Sequence, residues 1–221
     1  MGPSEEPISE EAGFDPIGPY GASKAEAEEQ FWKLAEQEPG AAILTIRPSV
    51  VYGPGNPSST NVYRLIDAIY NNRFIMVGSG EAVKTTSYIE NLLDATLFLM
   101  DRMESGVQTY TYVDEPRMKT GEMVELIYQY LDKNPPSWHV PLAVARPIAY
   151  VSDVAAAATG INFPITAARI EKFNRSTNFS AQAIRELGFE QPVANEEAMQ
   201  QTIEWHFQHE YDKQPAVIID G

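Results

Sequence analysis

The sequence predicts an α/β fold with a mostly helical C-terminal lobe. Two observations carry this expectation. Segments with a helical apolar period alternate with short apolar, β-branched runs through the first half of the chain. Beyond residue 115 the strand-like runs give way to helical ones. Helix, strand, helix, strand, helix, strand and then helices is the order of an α/β domain with a helical tail.

The elements follow in order. Residues 1–19 are rich in Pro, Gly and Glu and read as an irregular lead-in. Residues 20–37 read as a helix that stops before Glu38-Pro39-Gly40. "AAILTIRPSVVYG" reads as one strand buried on both faces, as in a parallel sheet. "GPGNPSS" breaks it, and "NVYRLIDAIYNN" places Val62, Leu65, Ile66 and Ile69 on one helix face. "FIMVG" reads as a short strand, "ENLLDATLFLMDRM" as a buried helix and "TYTYV" as a further strand. "TGEMVELIYQYLDK" reads as a helix with Thr120 as N-cap, and "SWHVPLAVARPIAYVSDVAAAATG" as helical pieces. "SAQAIRELGF" reads as a short helix with Ser180 as N-cap and Gly188 as stop. The last helix begins at Asn195, with Glu196 and Glu197 at its positive end.

Composition narrows the functional classes. A net charge of −15 over 221 residues repels phosphate backbones and anionic lipid, which argues against nucleic-acid or membrane binding. There is no cysteine, so disulfides and thiolate metal sites are excluded. No apolar run reaches the roughly eighteen residues of a membrane span. The acidic start "MGPSEEPISEE" lacks the charge and apolar core of a signal peptide, and a cytoplasmic location is expected. His206 and His209 are spaced i, i+3 beside Glu210, with no third ligand indicated, so no metal site is expected.

The chemistry-bearing pattern is "PYGASKAEAE". Tyr20 and Lys24 lie four residues apart at a helix start, which stacks their side chains on one face. A free phenol has a pKa near ~10 and is a poor base at neutral pH. An ammonium one turn away favours the phenolate, so the pair is a sensible acid/base. With eleven tyrosines in the chain, the spacing alone also fits a surface tyrosine beside a solvated lysine.

The surroundings decide. "PYGASK" is followed by "LTIRPSVVYGPG", "GSG", "TTSYIENLLDA" and "IRELGFEQP", in that order. The set resembles the extended short-chain dehydrogenase/reductase superfamily, whose members include nucleotide-sugar epimerases and dehydratases. The resemblance spans nearly the whole chain and is weakest over residues 116–175. It implies a partial Rossmann-like parallel sheet, with residues 1–115 as the second half of a nucleotide-binding domain and residues 116–221 as a substrate lobe to which 61–84 contribute. It implies NAD or NADP as cofactor and a nucleotide-activated sugar as substrate. Tyr20 would exchange a proton with a substrate hydroxyl, and Lys24 would activate Tyr20 and anchor the nicotinamide ribose. Pro48, Ser49 and Val50 would lie beside the nicotinamide at a strand end. Tyr52, Asn56, Lys84 and Arg169 would meet the substrate, although Arg169 with Lys172 also reads as the wet face of a helix. A homodimer through the Tyr20–Lys24 helix is a further implication, with Phe31 and Trp32 at the contact.

The sequence departs from the family's pattern in several places. It contains neither G-x-x-G-x-x-G nor G-x-G-x-x-G, and only Ser4 and Ser9 stand where a catalytic Ser or Thr precedes the tyrosine. Val50 and Lys84 replace an Asn and an Arg common among sugar-nucleotide members. "RPSVVYG" and "YIEN" are also similar to the branch acting on sterols. A 3β-hydroxysteroid-dehydrogenase-like oxidation, or an inactive remnant acting as a binding module, is therefore the alternative. The strands are expected to expose an unpaired edge and apolar faces, so that the chain alone is poorly stable or pairs with another segment or another copy.

Overall fold

A computed structural model describes residues 4–10, 12, 16, 18–159 and 167–208. The elements are β1 (Ser4–Ile8), α1 (Gly18–Gln37), β2 (Ala42–Pro48), β3 (Val50–Tyr52), α2 (Asn61–Tyr70), β4 (Val83–Lys84), β5 (Thr86–Tyr88) and α3 (Ile89–Met100). There follow β6 (Gly106–Tyr112), β7 (Met118–Lys119), α4 (Thr120–Tyr130), α5 (Leu142–Thr159), α6 (Ala167–Asn174), β8 (Thr177–Phe179), α7 (Gln182–Glu186) and α8 (Asn195–Gln208).

Parallel pairing dominates, as the α/β alternation requires. Strand β2 runs parallel to β6 in continuous register from Ala42↔Gly106 to Pro48↔Tyr112. Strand β3 runs parallel to β5 from Val50↔Thr86 to Tyr52↔Tyr88. A third sheet has the order β1-β8-β4-β7, with β4 and β7 antiparallel. None of the described helices is long and apolar enough to cross a membrane.

Several sequence expectations need correction. The run 41–53 is two strands in two sheets, divided at Ser49. Strand β2 is not buried on both faces: none of its seven residues is buried. "FIMVG" forms no strand, and only Val77 makes an isolated bridge, to Val140. Part of the lead-in is strand β1, paired with β8. Thr120 is not the N-cap of α4. Lys119 holds that place, its N–H donating to Glu122 Oε2 at 2.8 Å, while the Thr120 hydroxyl donates to the Ala82 carbonyl. Helix α3 is buried only along Asn91, Ala95 and Leu99.

Two main cores result. One gathers Tyr52, Val62, Ile66, Ile69, Ile127 and Met199, from β3, α2, α4 and α8. The other gathers Leu99, Tyr112, Val113, Ile184 and Phe189, around β6, α3 and α7. The stripe predicted on α2 is the buried face observed, with Val62, Ile66 and Ile69 inward.

Helix α2 ends on a borrowed cap. Lys133, just past α4, donates from Nζ to the Ile69 carbonyl at 3.3 Å and to Asn72 Oδ1 at 2.9 Å, and it also reaches the Tyr70 carbonyl. A cation on terminal carbonyls satisfies orphan acceptors and complements the helix dipole. Lys133→Met is expected to lower stability by about 1 kcal/mol, read as a lower urea midpoint with an unchanged slope.

Candidate active site

Helix α1 carries the Tyr20–Lys24 pair. Gly18 turns the chain into it at φ +76°, a value an L side chain rarely adopts, and Pro19 suits the first helical turn. The spacing does what the sequence predicts: Lys24 Nζ lies 5.4 Å from the centre of the Tyr20 ring. The Ser23 hydroxyl donates to the Tyr20 carbonyl at 2.9 Å. Tyr20 is 70% exposed, so its phenol is open to a ligand rather than used in packing.

One turn after Lys24, Glu28 clips this helix to the sheet. Arg47 of β2 donates from Nε to Glu28 Oε1 at 2.9 Å and from Nη2 to Oε2 at 2.5 Å. The two side chains are only 17% and 12% exposed, so the fork is sheltered and geometrically specific. It fixes the Tyr–Lys helix against the C-terminal half of β2, the sheet end at which ligands of open α/β sheets bind.

Pro48, Ser49 and Val50 stand at that end. The Ser49 N–H donates to the Tyr112 carbonyl at 3.2 Å and to Ser87 Oγ at 3.1 Å. Its hydroxyl donates to the Thr85 carbonyl at 2.5 Å and lies 2.8 Å from Thr85 Oγ1. The Ser87 hydroxyl donates to the Tyr112 carbonyl at 2.9 Å. Ser49 thus joins the ends of β2, β3, β5 and β6, with its hydroxyl turned into this network. Val50 is exposed. Among the described residues no hydrogen bond, ion pair or ring contact joins Tyr20 or Lys24 to Pro48, Ser49 or Val50.

The remaining candidates are spread out. Tyr52 is 1% exposed, its ring 5.6 Å from that of Tyr88, and burial followed by the nearby Asp114 charge drives its phenol above the ordinary range. Its hydroxyl has no partner among the described residues. The turn after it depends on Gly53, where a Cβ would meet Ile89 Cγ2 at 2.5 Å, and it closes with the Asn56 N–H donating to the Gly53 carbonyl at 3.2 Å. Lys84 donates its ammonium to the Arg175 carbonyl. Arg169 lies on α6, and its side chain is outside the described residues, as is that of Lys172. His206 packs its ring 4.4 Å from that of Tyr63, and His209 is outside the described residues.

Sequence reasoning missed Asp114. This carboxylate is buried under the N-terminus of α3 and accepts from the Tyr88 N–H at 2.6 Å, Asn91 Nδ2 at 3.1 Å and the Tyr112 hydroxyl at 3.2 Å. Burial pushes its carboxyl above the usual range, and the three donors oppose the shift without cancelling it. The available signal was an Asp directly following a strand, in "TYTYVDEP". The Arg47–Glu28 clip was also missed, since nothing local pairs residues nineteen apart.

Comparison with known proteins adds to this geometry. The profile of the NAD dependent epimerase/dehydratase family matches residues 1–113. An N-acetyl-alpha-D-glucosaminyl-diphospho-ditrans,octacis-undecaprenol 4-epimerase of Escherichia coli O157:H7 is 31% identical over 196 residues, covering 88% of this chain and 59% of that protein. A UDP-glucose 4-epimerase of Vibrio cholerae is 30% identical over 139 residues, covering 62% and 41%. A 3beta-hydroxysteroid-dehydrogenase/decarboxylase of Arabidopsis thaliana is 26% identical over 198 residues, covering 84% and 45%. The chain therefore spans between about two fifths and three fifths of these relatives' lengths. Among solved structures, the dTDP-glucose 4,6-dehydratase of Bacillus anthracis in complex with NAD superposes with a TM-score of 0.68 at 17% identity, over 95% of this chain and 58% of that one. The UDP-glucose 4-epimerase of Thermus thermophilus complexed with NAD gives 0.63 at 18%, over 94% and 60%. The parallel α/β architecture is thus that of Rossmann-like epimerases and dehydratases, and the chain belongs to the NAD-dependent epimerase/dehydratase family.

Proposed function

We propose that this chain carries the proton-transfer and substrate-holding part of an NAD(P)-dependent epimerase or dehydratase acting on a nucleotide-activated sugar. The observation that carries the reading is the exposed Tyr20 phenol with Lys24 Nζ 5.4 Å from its ring, on a helix clipped to a strand end by Arg47 and Glu28. The pair suits the nicotinamide-ribose end of the cofactor, because Lys24 is a donor beside an open acid/base. The Gly-rich motifs that cradle a pyrophosphate, G-x-x-G-x-x-G and G-x-G-x-x-G, do not occur in these 221 residues. When bound, the nicotinamide supplies hydride acceptance and return. Tyr20 takes the proton of the substrate hydroxyl as the alcohol becomes a ketone, and gives it back when the ketone is reduced. Reduction from the opposite face yields the epimer. Pro48, Ser49 and Val50 would border the nicotinamide, and Asn56, Lys84 and Arg169 would face the sugar diphosphate. Tyr52, in the core, supports the turn that presents Asn56. Residues 1–115 act in this reading as part of the nucleotide-binding domain, and 116–221 as the substrate lobe. The exposed Phe31, Trp32 and Leu34 on α1 are the proposed homodimer contact.

One observation favours a second reading. The exposed apolar Val50 at the strand end suits a sterol-like alcohol better than a phosphate. Quenching of tryptophan fluorescence by NADH tests both readings at their common step. Saturable binding is expected, weakened about tenfold in a Tyr20→Phe/Lys24→Met double variant. A folded sample that does not bind NADH at millimolar concentration sinks both. Turnover of UDP-glucose against a 3β-hydroxysteroid then separates them.

A further inference from the structure

We infer that α5 and the segment leading into it form a docking surface for an anionic lipid bilayer, on which the chain lies without crossing it. The Tyr20–Lys24 chemistry plays no part in the argument.

Helix α5 is inverted relative to an ordinary surface helix. Its small residues face inward: Ala145 and Ala149 are buried in a cluster with Ile170 of α6. Its large residues face out. Val144 and Ile148, one turn apart, are 52% and 53% exposed, and Tyr150 is 68% exposed. Trp138, just before the helix, is 59% exposed. A surface helix ordinarily turns its apolar side to the core and its charges to water. Here Arg146 is the one charged residue between Leu142 and Tyr150. Large apolar side chains gathered outward on one element mark an interaction site, where single exposed ones would not.

Charge selects the occupant. No Asp or Glu occurs from Lys133 to Ser152. Residues 133–175 hold five Lys or Arg against two acids, a net +3, so the rest of the chain carries −18. The overall charge of −15 hides this positive region. Arg146 is exposed and has no ion-pair partner among the described residues. An anionic bilayer attracts this region and repels the remainder, which fixes one orientation of approach.

The side chains suit that contact. Val144 and Ile148 are aliphatic and match the acyl boundary. Trp138 and Tyr150 have the amphipathic rings that settle at headgroup level, and Arg146 can meet a lipid phosphate. None of the described helices is long and apolar enough to cross a membrane, so α5 would lie in the plane of the interface. A second copy meeting this face about a two-fold axis would instead set two positive regions against each other.

The test floats the full 221-residue chain with vesicles of equal parts phosphatidylcholine and phosphatidylglycerol, and with vesicles of phosphatidylcholine alone. Binding to the anionic vesicles is expected, released by high salt, with little binding to the neutral ones. Tryptophan emission should shift to the blue on binding, and the shift should be lost in Trp138→Phe. Val144→Glu and Ile148→Glu are each expected to weaken binding at least about tenfold, and Arg146→Gln about fivefold. Leu187→Glu, at an exposed site on another helix end, should leave it unchanged. The substituted side chains are exposed, so these variants keep the chain's fold, checked by circular dichroism. Failure of the folded chain to bind anionic vesicles overturns the proposal. So does equal binding to both vesicles, or binding that Val144→Glu and Ile148→Glu leave intact. A lipid-free self-dimer dissolved by Ile148→Glu also overturns it, because a second copy then occupies the face.

Discussion

Asp114→Ala is expected to cost about 4 kcal/mol of folding stability, a large share of the 5–15 kcal/mol typical of a domain. The substitution leaves the Tyr88 N–H, one Asn91 amide hydrogen and the Tyr112 hydroxyl facing an empty space in a buried site. It also removes a negative charge from the positive end of α3. Asn91 cannot turn to find another partner. Its Oδ1 accepts from the Val193 N–H at 2.9 Å, and its Nδ2 donates to the Val193 carbonyl at 2.9 Å. The loss should reach the candidate site as well, since the Asp114 N–H donates to the Thr86 carbonyl and Tyr112 receives both Ser49 and Ser87. Urea unfolding measures the cost. A loss below about 1 kcal/mol would mean that water or relaxation replaces the carboxylate.

The pH dependence follows from the direction of the shift. Burial raises the folded-state pKa of Asp114 above the unfolded value of 3.8. Between those two values the native chain holds the proton more tightly than the unfolded chain. The contribution of this group is therefore fully present below pH 3.8 and is lost as pH rises through the folded pKa. Asp114→Asn removes this titration. The stability gap between the wild type and the Asp114→Asn variant should be widest in acid and narrow towards neutrality. A gap that widens as pH rises would show that the three donors outweigh burial.

The parts of this fold that the sequence announces are those built from local patterns. The i, i+4 placement of Tyr20 and Lys24, the stripe Val62–Ile66–Ile69 and the glycine stop at Gly188 all act within one or two turns of chain. Strands β1, β4, β7 and β8 are two to five residues long, too short for a period to show. Their partners are remote: Lys84 pairs with Thr177, and Ser4 also lies opposite Thr177. The apolar run "ENLLDATLFLM" conceals which side faces solvent, since Leu93 and Leu97 read no differently from Leu92 and Leu99. Asp114 reads as a turn residue because its burial is made by Tyr88 and Asn91, more than twenty residues earlier. The stacking of Tyr20 and Lys24 was legible, and the hydrogen-bond network around Ser49 and Asp114 was not.

The second large effect is on turnover. Tyr20→Phe keeps the ring under Lys24 and removes only the hydroxyl, so the helix, the Arg47–Glu28 clip and the ring contact should survive. Tyr20 is exposed and its hydroxyl supports no described neighbour, so stability should change by less than about 0.5 kcal/mol. If the hydroxyl is the group that exchanges a proton with the substrate, kcat should fall by about 10²–10⁴ with little change in KM for the sugar nucleotide. Lys24→Met should differ. In the proposed reading it removes a cofactor donor as well as the neighbouring charge, so NADH affinity and kcat should fall together. Glu28→Gln is the control for positioning: it weakens the fork to Arg47 without touching the pair, and a modest loss of kcat at unchanged NADH affinity is expected. Measuring kcat, KM and NADH binding for the three variants separates acid/base chemistry from anchoring and from helix placement. Equal, small losses in all three would reduce Tyr20 and Lys24 to a surface tyrosine beside a solvated lysine, and proton transfer would have to be sought elsewhere on the strand ends.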